Sequence, residues 1–366
     1  MGIYGIYEHE SLNMVEADSV TEISPRYLGL FASGELHRRR DALVQLLQSC
    51  TICPLDCKVD RLQDEIARCY SGRDPIVSSY CAHFGEEPAL VGTNGVGNIF
   101  FGNCNLRCVY CQNFEISQRW KEERKNVVTT ERLAEMMIEL QNDKKCHAIG
   151  FVSPTHFAPQ IVEALVIAIE RGLHIPLIYN TNAYDSVEVL QLLDGIIDIY
   201  LPDLKYADES AGYDYSGVKD YVLHARLALK EMYRQMGPDL VMGTDGLVKR
   251  GLIIRHLVLP NELAGSRETL EFIGTELSPN LTLSVMSQYY PTNIVSDARA
   301  ETSERILLMN RRIREREYER VLDMLDEFGF ENGWAQEFES QDYYRPDFSD
   351  RTTPFPIAPS QPYPIP

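Results

Sequence analysis

Residues 100–113 read FFGNCNLRCVYCQN, and this stretch joins the end of an apolar run to three cysteines spaced C-x3-C-x2-C. The apolar residues up to Gly102 predict a strand, and Cys104, Cys108 and Cys111 follow it directly. In barrels of alternating strands and helices, the loops at the carboxyl ends of the strands carry the chemistry. The position of these cysteines therefore predicts a functional loop.

Three thiolates can bind three irons of a four-iron cluster, which four cysteines would normally complete. The fourth iron then keeps an open position, and catalysis needs such a position because a substrate can coordinate there. A structural zinc site with a fourth ligand elsewhere is one alternative, and a set of buried free cysteines is another. Three cysteines within eight residues favour the iron–sulfur cluster.

From about residue 88 onwards, short apolar runs alternate with helical patterns. The predicted strands are Asn98–Gly102, His147–Val152, Ile175–Tyr179, Ile196–Leu201, Leu252–Leu259 and Leu281–Met286, and the predicted helices are Thr130–Leu140, Pro159–Arg171, Ser186–Leu193, Asp220–Met236 and Arg267–Glu276. This alternation implies right-handed crossovers and a parallel sheet. Six units are too few for a closed eight-stranded barrel, so we predict an α/β fold built as a partial (β/α)6 barrel. A doubly wound open sheet is the second choice.

The segments on either side of the predicted barrel differ from it. Arg26–Gln48 has leucines at helical spacing, and residues 50–81 contain five cysteines. Glu301–Phe328 is charged and predicts a helix on the barrel exterior, whereas the Pro-rich tail from Ser340 predicts an extended or disordered chain. We therefore divide the chain into an N-terminal cysteine-rich extension (1–87), the barrel (88–295) and a C-terminal helix with its tail (296–366).

The composition argues against several classes of function. The net charge of −19 does not suit a protein that binds nucleic acid through phosphates, so no nucleic-acid partner is expected. No run of about 20 apolar residues is present, which predicts no membrane span. The first ten residues lack the basic start and apolar stretch of a signal peptide. We therefore expect a cytoplasmic protein.

A second cysteine motif precedes the barrel, with Cys50, Cys53, Cys57 and Cys69 spaced C-x2-C-x3-C-x11-C. Four soft ligands suit either tetrahedral zinc or a closed iron–sulfur cluster, and the spacing does not separate the two. A reduced, buried group of thiols is the remaining alternative. Clustered cysteines in a chain without an export signal favour metal ligands over a disulfide framework.

The C-x3-C-x2-C motif, with Tyr110 before its third cysteine, resembles the signature of the radical S-adenosylmethionine (radical SAM) enzymes. The resemblance implies that Cys104, Cys108 and Cys111 bind a [4Fe-4S] cluster. Its open iron would chelate the amino and carboxylate groups of S-adenosylmethionine. It also implies reductive cleavage of this cofactor to a 5′-deoxyadenosyl radical that abstracts a hydrogen atom. The cofactor carries this chemistry, and the protein orients it.

Polar residues end each of the later predicted strands. For a zwitterionic cofactor with a ribose, Asn and Asp can bond the hydroxyls, and Arg and Lys can face the carboxylate. Helix capping is the alternative role for several of them. The predicted cofactor-binding residues are Ser153, Thr155, Asn180, Asn182, Asp203, Lys205, Arg255 and Gln288.

Further segments resemble the pyruvate formate-lyase activating enzyme-related proteins, over roughly residues 50–350. They include CPLDC at 53–57, YNTNAYD at 179–185, DLKY at 203–206 and GLIIRHLVLPN at 251–261. This resemblance implies hydrogen abstraction from a glycine of a glycyl-radical enzyme, and a flavodoxin- or ferredoxin-type reductant. Two alternatives stay open: a radical enzyme acting on a small molecule or another macromolecule, and a non-catalytic iron–sulfur or zinc protein.

One segment departs from the activating enzymes, which typically have a GGE segment after the second strand. Here the corresponding residues are Pro154-Thr155-His156. Ser153, Thr155 or His156 would have to replace the usual glutamate contact, although a single histidine is more often structural.

Overall fold

The computed structural model describes residues 23–297, 303–342, 345–352 and 354–355. The strands of this part are Val77–His83 (β1), Val96–Phe101 (β2), Ile149–Val152 (β3), Leu177–Thr181 (β4), Ile199–Pro202 (β5), Val241–Met242 (β6), Val248–Leu257 (β7), Thr282–Met286 (β8) and Gly333–Ala335 (β9). Its α-helices are Arg26–Ala32 (α1), Glu35–Gln45 (α2), Pro88–Val91 (α3), Phe114–Gln118 (α4), Trp120–Glu123 (α5), Thr130–Asn142 (α6), Ala158–Glu170 (α7), Val187–Leu192 (α8), Glu209–Ser216 (α9), Tyr221–Met236 (α10), Ser266–Phe272 (α11), Glu304–Leu307 (α12) and Glu315–Phe328 (α13).

The strands form one mostly parallel sheet in the order β1-β2-β3-β4-β5-β7-β8-β9. Strand β1 is antiparallel to β2, β6 is antiparallel to β7, and the other neighbours are parallel. All six predicted strands are confirmed, as β2, β3, β4, β5, β7 and β8. The sequence did not reveal β1, β6 or β9, because β1 is rich in polar residues and the other two are too short for a recognisable period.

The sheet is curled. The carboxylate of Glu86 accepts hydrogen bonds from Asn98 of β2 at 2.8 Å and from Arg255 of β7 at 3.1 Å, on the inner face of the sheet. A flat sheet would hold these two strands too far apart for one side chain to bridge, because β3, β4 and β5 separate them. The fold is therefore the predicted α/β type with a curled, mostly parallel sheet, and not the doubly wound open sheet that was the second choice.

The helices cover the outer face of the sheet, as α6 illustrates. Thr129 caps this helix by accepting a hydrogen bond from the backbone N–H of Arg132 at 3.2 Å. Leu133, Met137 and Leu140 recur at helical spacing and are completely buried. Burial of each such side chain stabilises the fold by about 1.5–3 kcal/mol, so the amphipathic pattern determines how α6 is oriented on the sheet.

The N-terminal helical segment that we predicted at Arg26–Gln48 is divided into α1 and α2. The break falls at Gly34, which has a φ of +78° that suits glycine. The C-terminal segment predicted at Glu301–Phe328 likewise consists of α12 and α13, and residues 301–302 lie outside the described residues. Helix α13 lies against α11, where Arg267 pairs with Glu327, so it packs on the exterior as expected.

Part of the Pro-rich tail lies on the inner face of the sheet. We name residues 345–352 and 354–355 the C-terminal strap. Phe348 and Phe355 contact Phe100 of β2, with ring centroids 5.7 and 5.4 Å away, and Phe355 also contacts His83 of β1. The strap therefore contacts the barrel interior, which the sequence did not predict. Residues 356–366, and the N-terminal residues used to judge targeting, lie outside the described residues.

Among the helices described here, none combines the length and apolar character needed to cross a membrane.

Candidate active site

The three-cysteine loop begins directly at the carboxyl end of β2, as predicted. Asn103 takes a left-handed conformation with a φ of +67°, which asparagine tolerates, and this residue turns the chain sharply out of the strand. Its N–H donates to the carbonyl of Ile116 at 2.8 Å, which ties the start of the loop to helix α4. Cys104, Cys108 and Cys111 are thereby presented on one short loop at the barrel mouth.

Each of the three thiols has a polar neighbour. The Cys104 sulfur receives hydrogen bonds from the N–H of Leu106 at 3.4 Å and from Nδ2 of Asn182 at 3.5 Å. A hydrogen bond of 3.0 Å joins the Cys108 sulfur to the Ser216 hydroxyl. The corresponding bond between Cys111 and the Ser117 hydroxyl is 3.2 Å long. Such bonds stabilise thiolate charge and influence the properties of any metal that the sulfurs bind.

Burial raises the pKa of the Cys104 thiol to about 11 and that of Cys111 to about 12. The pKa of Cys108 is also raised by burial, although the charge of Lys205 opposes the shift. The free thiols are therefore neutral at pH 7, and a metal would have to displace their protons. Burial with hydrogen-bond donors aimed at sulfur is an environment in which bound thiolates are stabilised once the proton has left.

The donor set fits three ligands of a four-iron cluster. Thiolate sulfur is the ligand that iron–sulfur clusters require, and all three cysteines are free. Within the described residues, no three His, Cys, Asp or Glu side chains converge closely enough to hold a single metal ion.

A charged network lies below the loop and unites four of the predicted cofactor-binding residues. Arg255 donates to Asp203 at 2.8 Å and to Oδ1 of Asn180 at 2.7 Å, and Lys205 donates to Asp203 at 2.9 Å. Arg255 also contacts Glu86 at 3.1 Å, an acidic partner that the sequence analysis missed. Glu86 lies between β1 and α3, where nothing in the pattern indicated a barrel segment.

Asn182 and Gln288 lie beside the cysteine loop. Besides its contact with Cys104, Asn182 donates to Oδ1 of Asn105 at 2.8 Å, so its amide supports the loop. Gln288 exchanges hydrogen bonds with Gln112, which is adjacent to Cys111. Both predicted residues therefore lie at the mouth of the barrel, in direct contact with the loop that carries the thiols.

Thr155 is part of a buried structural network. Its hydroxyl donates to Asp185 at 2.8 Å and contacts the Thr181 hydroxyl at 3.2 Å. Thr155 is 1% exposed, so its hydroxyl is already used. Ser153, by contrast, is half-buried at the end of β3 with a φ of +56°, and its N–H donates to the carbonyl of Asn180. Of these two predicted residues, Ser153 is the better placed to meet a ligand.

His156, the other candidate for replacing the glutamate contact, is buried beneath the loop. Its Nε2 lies 3.0 Å from the carbonyl oxygen of Gly102, and its own carbonyl accepts a hydrogen bond from Arg61 at 2.7 Å. Burial lowers its pKa to about 3, which keeps the imidazole neutral. This arrangement fits a structural role in which His156 holds the end of β2.

Two serines at the site carried no recognisable signal in the sequence. Ser216 ends α9 and Ser117 lies in α4, and neither belongs to a motif.

A chain of hydroxyl groups leads from Tyr110 to Ser216. The hydroxyls of Tyr110 and Tyr206 are 2.7 Å apart, and the Tyr206 hydroxyl is 2.8 Å from the Ser216 hydroxyl. In the sequence, Tyr110 is recognisable only as the aromatic residue before the third cysteine. Its role in this hydroxyl chain depends on contacts far apart in sequence.

Residues 98–273 match the Radical SAM superfamily model, so this part of the chain is similar to radical SAM domains. Proteins of this family use a [4Fe-4S] cluster and S-adenosylmethionine.

Two relatives from Methanocaldococcus jannaschii are similar in sequence. The uncharacterized protein MJ0674 is 29% identical over 292 residues, which are 78% of this chain and 77% of the relative. The uncharacterized protein MJ0808 is 27% identical over 159 residues, 39% of this chain and 46% of the relative. This chain thus spans less than half of the second relative.

Among solved structures, similar chains include HydG, a maturase of the [FeFe]-hydrogenase, with a TM-score of 0.44 and 13% identity over 65% of this chain and 50% of that chain. TYW1 with a lysine-pyruvate adduct bound has a TM-score of 0.38 and 14% identity, over 67% of this chain and 78% of that chain. Methylornithine synthase (PylB) has a TM-score of 0.35 and 12% identity, over 86% and 83%.

Proposed function

We propose that Cys104, Cys108 and Cys111 bind a [4Fe-4S] cluster and that this protein cleaves S-adenosylmethionine reductively to abstract a hydrogen atom from a substrate. The observation that carries the proposal is the loop at the end of β2, where three buried or half-buried thiols each have a hydrogen-bond partner. A cluster held by these three cysteines would supply the one electron that cleaves the bond between the sulfonium and the ribose carbon of the cofactor.

The residues around the loop have separate roles in this proposal. Asn182, Ser216 and Ser117 hydrogen-bond the sulfurs and hold the thiolate charge. Lys205 lies close enough to Cys104 and Cys108 to affect the pKa of both thiols, so its positive charge can attract the carboxylate of the cofactor. Asp203, Asn180 and Arg255 hold one another in place and offer polar groups to the ribose and the amino-acid end. Ser153 adjoins Asn180, and Gln288 adjoins Gln112 of the cysteine loop.

The proposal is tested by reconstituting the full chain with iron and sulfide in the absence of oxygen. After reduction and addition of S-adenosylmethionine, we expect 5′-deoxyadenosine and methionine in equal amounts. A non-catalytic iron–sulfur or zinc protein would yield neither product, and that result would reject the proposal.

For the substrate, we propose a glycine of a protein partner, such as a glycyl-radical enzyme. This proposal is supported by the likeness of NTN at 180–182 and DLK at 203–205 to the activating enzymes. A flavodoxin- or ferredoxin-type protein would supply the electron. The delivery of a radical to a backbone glycine requires a loop of the partner to enter the barrel.

A small-molecule substrate is the second candidate, and the C-terminal strap favours it. The strap extends from Tyr290, whose ring lies 4.7 Å from the Arg345 guanidinium, to β1, where the Ser79 hydroxyl donates to the carbonyl of Arg351. Phe348 and Phe355 of the strap cover Phe100 on the inner face. A partner's loop would have to displace the strap, whereas a small molecule could be enclosed beneath it.

These two candidates can be separated with extract from cells grown on deuterated medium. The extract is divided by ultrafiltration into macromolecules and small molecules, and each fraction is added to active enzyme. Deuterium that appears in 5′-deoxyadenosine only with the macromolecular fraction supports the protein glycine. Deuterium transferred only from the small-molecule fraction rejects it in favour of the second candidate.

A further inference from the structure

The second cysteine motif folds into a compact double turn. The N–H of Cys50 donates to the carbonyl of Val59 at 2.9 Å, and the N–H of Lys58 donates back to the carbonyl of Cys50 at 3.1 Å. Within this pair, the N–H of Asp56 donates to the carbonyl of Cys53 at 3.1 Å. Asp56 and Lys58 both have positive φ values, which tighten the turn. The fold of this segment therefore brings Cys50, Cys53 and Cys57 together.

Cys69 joins this group from the following loop. The Cys50 and Cys57 thiols are near enough to shift each other's pKa, and Cys69 is near enough to both Cys53 and Cys57 to raise the pKa of those thiols. Three of the four side chains are less than 9% exposed, and Cys57 is half-buried. The spacing predicted four convergent thiols, and the structure brings them into one neighbourhood.

An unpaired buried cation accompanies these thiols. Arg61 is 1% exposed and donates to the backbone carbonyls of Gly72 and His156, at 2.7–3.0 Å. Among the ion pairs of the described residues, it has no carboxylate partner, yet its charge acts on the Cys50 thiol. A buried charge without a counter-charge is costly, so an anionic group is expected beside it. A metal centre held by four thiolates would supply that negative charge.

This segment is in direct contact with the three-cysteine loop. The carbonyl of Arg68 accepts a hydrogen bond from Arg107 at 2.8 Å, and the carbonyl of Tyr70 accepts one from Asn103 at 3.0 Å. The Arg107 guanidinium also lies over the Tyr70 ring at 4.8 Å. Arg68 and Tyr70 are the two neighbours of Cys69 in sequence.

On the other side of this contact, Asn103 directly precedes Cys104, and Arg107 directly precedes Cys108. With adjacent residues 3.8 Å apart along the chain, the two sets of thiols lie within roughly 15 Å of each other. Metal centres at this separation can exchange an electron through the protein.

We infer that Cys50, Cys53, Cys57 and Cys69 hold a second, fully ligated [4Fe-4S] cluster that passes electrons to the cluster at Cys104, Cys108 and Cys111. The inference rests on the proposed function, because it assigns a route for the electron that the cleavage consumes. A ferredoxin-type protein gives up one electron and is oxidised, the second cluster accepts and passes on that electron, and one sulfonium bond is cleaved per electron.

Zinc is the competing occupant of four thiolates. The contact with the three-cysteine loop favours the redox-active group, because an electron accepted at one centre can then reach the other.

The first experiment counts metals in the full-length protein, prepared without oxygen. We expect iron and sulfide for two clusters per chain, and no stoichiometric zinc. The variant Cys53→Ala/Cys69→Ala is expected to lose the iron and sulfide of one cluster. The matched control Cys146→Ala removes a buried thiol that belongs to neither motif and is expected to retain both clusters. Wild-type protein with one zinc ion and the iron of a single cluster would overturn the inference. Because this count is made on the wild type, it does not depend on whether any variant folds.

The second experiment tests the electron route by comparing two reductants. With reduced ferredoxin, Cys53→Ala/Cys69→Ala is expected to lose formation of 5′-deoxyadenosine, while titanium(III) citrate, a small reductant, restores it. A change in the electron paramagnetic resonance (EPR) signal on addition of S-adenosylmethionine checks that the barrel of the variant is folded. Unchanged turnover with ferredoxin in a variant that has only one cluster would overturn the relay.

The two proposals fail in distinguishable ways. Wild-type protein with two clusters, but without 5′-deoxyadenosine under either reductant, would reject the proposed function. Product under both reductants from protein that binds only one cluster would reject the second cluster alone.

Discussion

The two ends of the barrel both bury polar groups, but they use them differently. At the carboxyl end, Asn182 and Ser216 direct their polar atoms towards the cysteine sulfurs. At the amino end, Asp198 accepts hydrogen bonds from the N–H groups of Leu177 and Arg26, at 3.1 and 3.3 Å. The first set is arranged around groups that can bind a ligand, whereas the second set satisfies the backbone.

This difference shows that burial alone does not identify a functional residue. Asp198 has a strongly perturbed pKa, raised by burial to about 7, but its partners are backbone groups at the starts of a strand and a helix. Perturbed pKa values occur in structural networks as well as in active sites. An active-site residue is distinguished by a partner that can bind a ligand, such as a cysteine sulfur, whereas the partners of Asp198 are backbone N–H groups. We therefore expect substitutions at the carboxyl end to change chemistry and those at the amino end to change stability.

The largest effect is expected for Cys108→Ala, which removes one of the three proposed cluster ligands. Cleavage of S-adenosylmethionine should be abolished, because a cluster with two thiolate ligands is not retained. The assay is formation of 5′-deoxyadenosine by the reconstituted protein. Cys146→Ala, at a thiol far from the loop in sequence, is the control and should remain active. A Cys108→Ala protein with full activity would show that this loop does not hold the cluster.

The next largest effect is expected for Lys205→Met, which removes a positive charge that acts on the Cys108 thiol. The loss of a charge-assisted contact costs about 1.5–3 kcal/mol, so the concentration of S-adenosylmethionine needed for half-maximal cleavage should rise by roughly ten- to hundred-fold. Lys249→Met is the matched control, because Lys249 forms a similar pair with Asp245 at 2.7 Å on the β6–β7 hairpin. Equal effects of the two substitutions would argue against a role for Lys205 in binding.

A smaller effect is expected for Ser216→Ala, which removes the hydroxyl that is 3.0 Å from the Cys108 sulfur. Partners of this kind usually affect metal affinity or activity by roughly ten-fold. We expect a shift of the reduced cluster's EPR signal and a comparable fall in cleavage rate, with iron content preserved. Ser210→Ala, in the first turn of the same helix, should change neither quantity. If the two variants give identical spectra, the hydroxyl does not influence the cluster.

The smallest effect on cleavage, and a clear effect on stability, is expected for Asp198→Asn. Because burial raises the pKa of Asp198 from 3.8 to about 7, the folded state binds the proton more tightly than the unfolded state does. Its contribution to stability is therefore full below pH 4 and is lost as the pH rises to about 7, by a few kcal/mol at most.

The free energy of unfolding, measured by urea titration between pH 5 and pH 7.5, should fall less steeply with pH in Asp198→Asn than in the wild type. Asp194→Asn, at a half-exposed neighbour that pairs with Arg26 and Arg234, serves as control and should retain the wild-type slope. Parallel slopes for Asp198→Asn and the wild type would contradict the assignment of this pH dependence to Asp198.

The repeating strands and the cysteine loop could be predicted from sequence because both have local signals. Apolar runs such as Ile149–Val152 lie between helices with regular spacing, and the three cysteines fall within eight residues. The helix α6 is signalled in the same local way, by Thr129 at its cap and an apolar stripe along one face. Local periodicity was therefore sufficient to predict most of the strands and helices of the barrel.

Contacts between distant segments could not be predicted. Glu86 meets Arg255 across 169 positions, and Ser216 meets Cys108 across 108 positions, so no periodicity links them. The strap is a similar case, because a Pro-rich composition indicated an extended chain but not that Phe348 would lie on Phe100. Polar residues at strand ends were predicted as a group, yet only the structure distinguishes Asp203, in the charged network, from Thr155, which is enclosed by Asp185 and Thr181.

The most direct test of the central claim is the EPR spectrum of the reduced, anaerobically prepared protein with and without S-adenosylmethionine. Three thiolate ligands leave one iron open, so the cofactor should bind there and change the signal of that cluster. A second cluster with four thiolates should contribute a signal that the cofactor leaves unchanged. A spectrum that is indifferent to S-adenosylmethionine in every component would contradict the account.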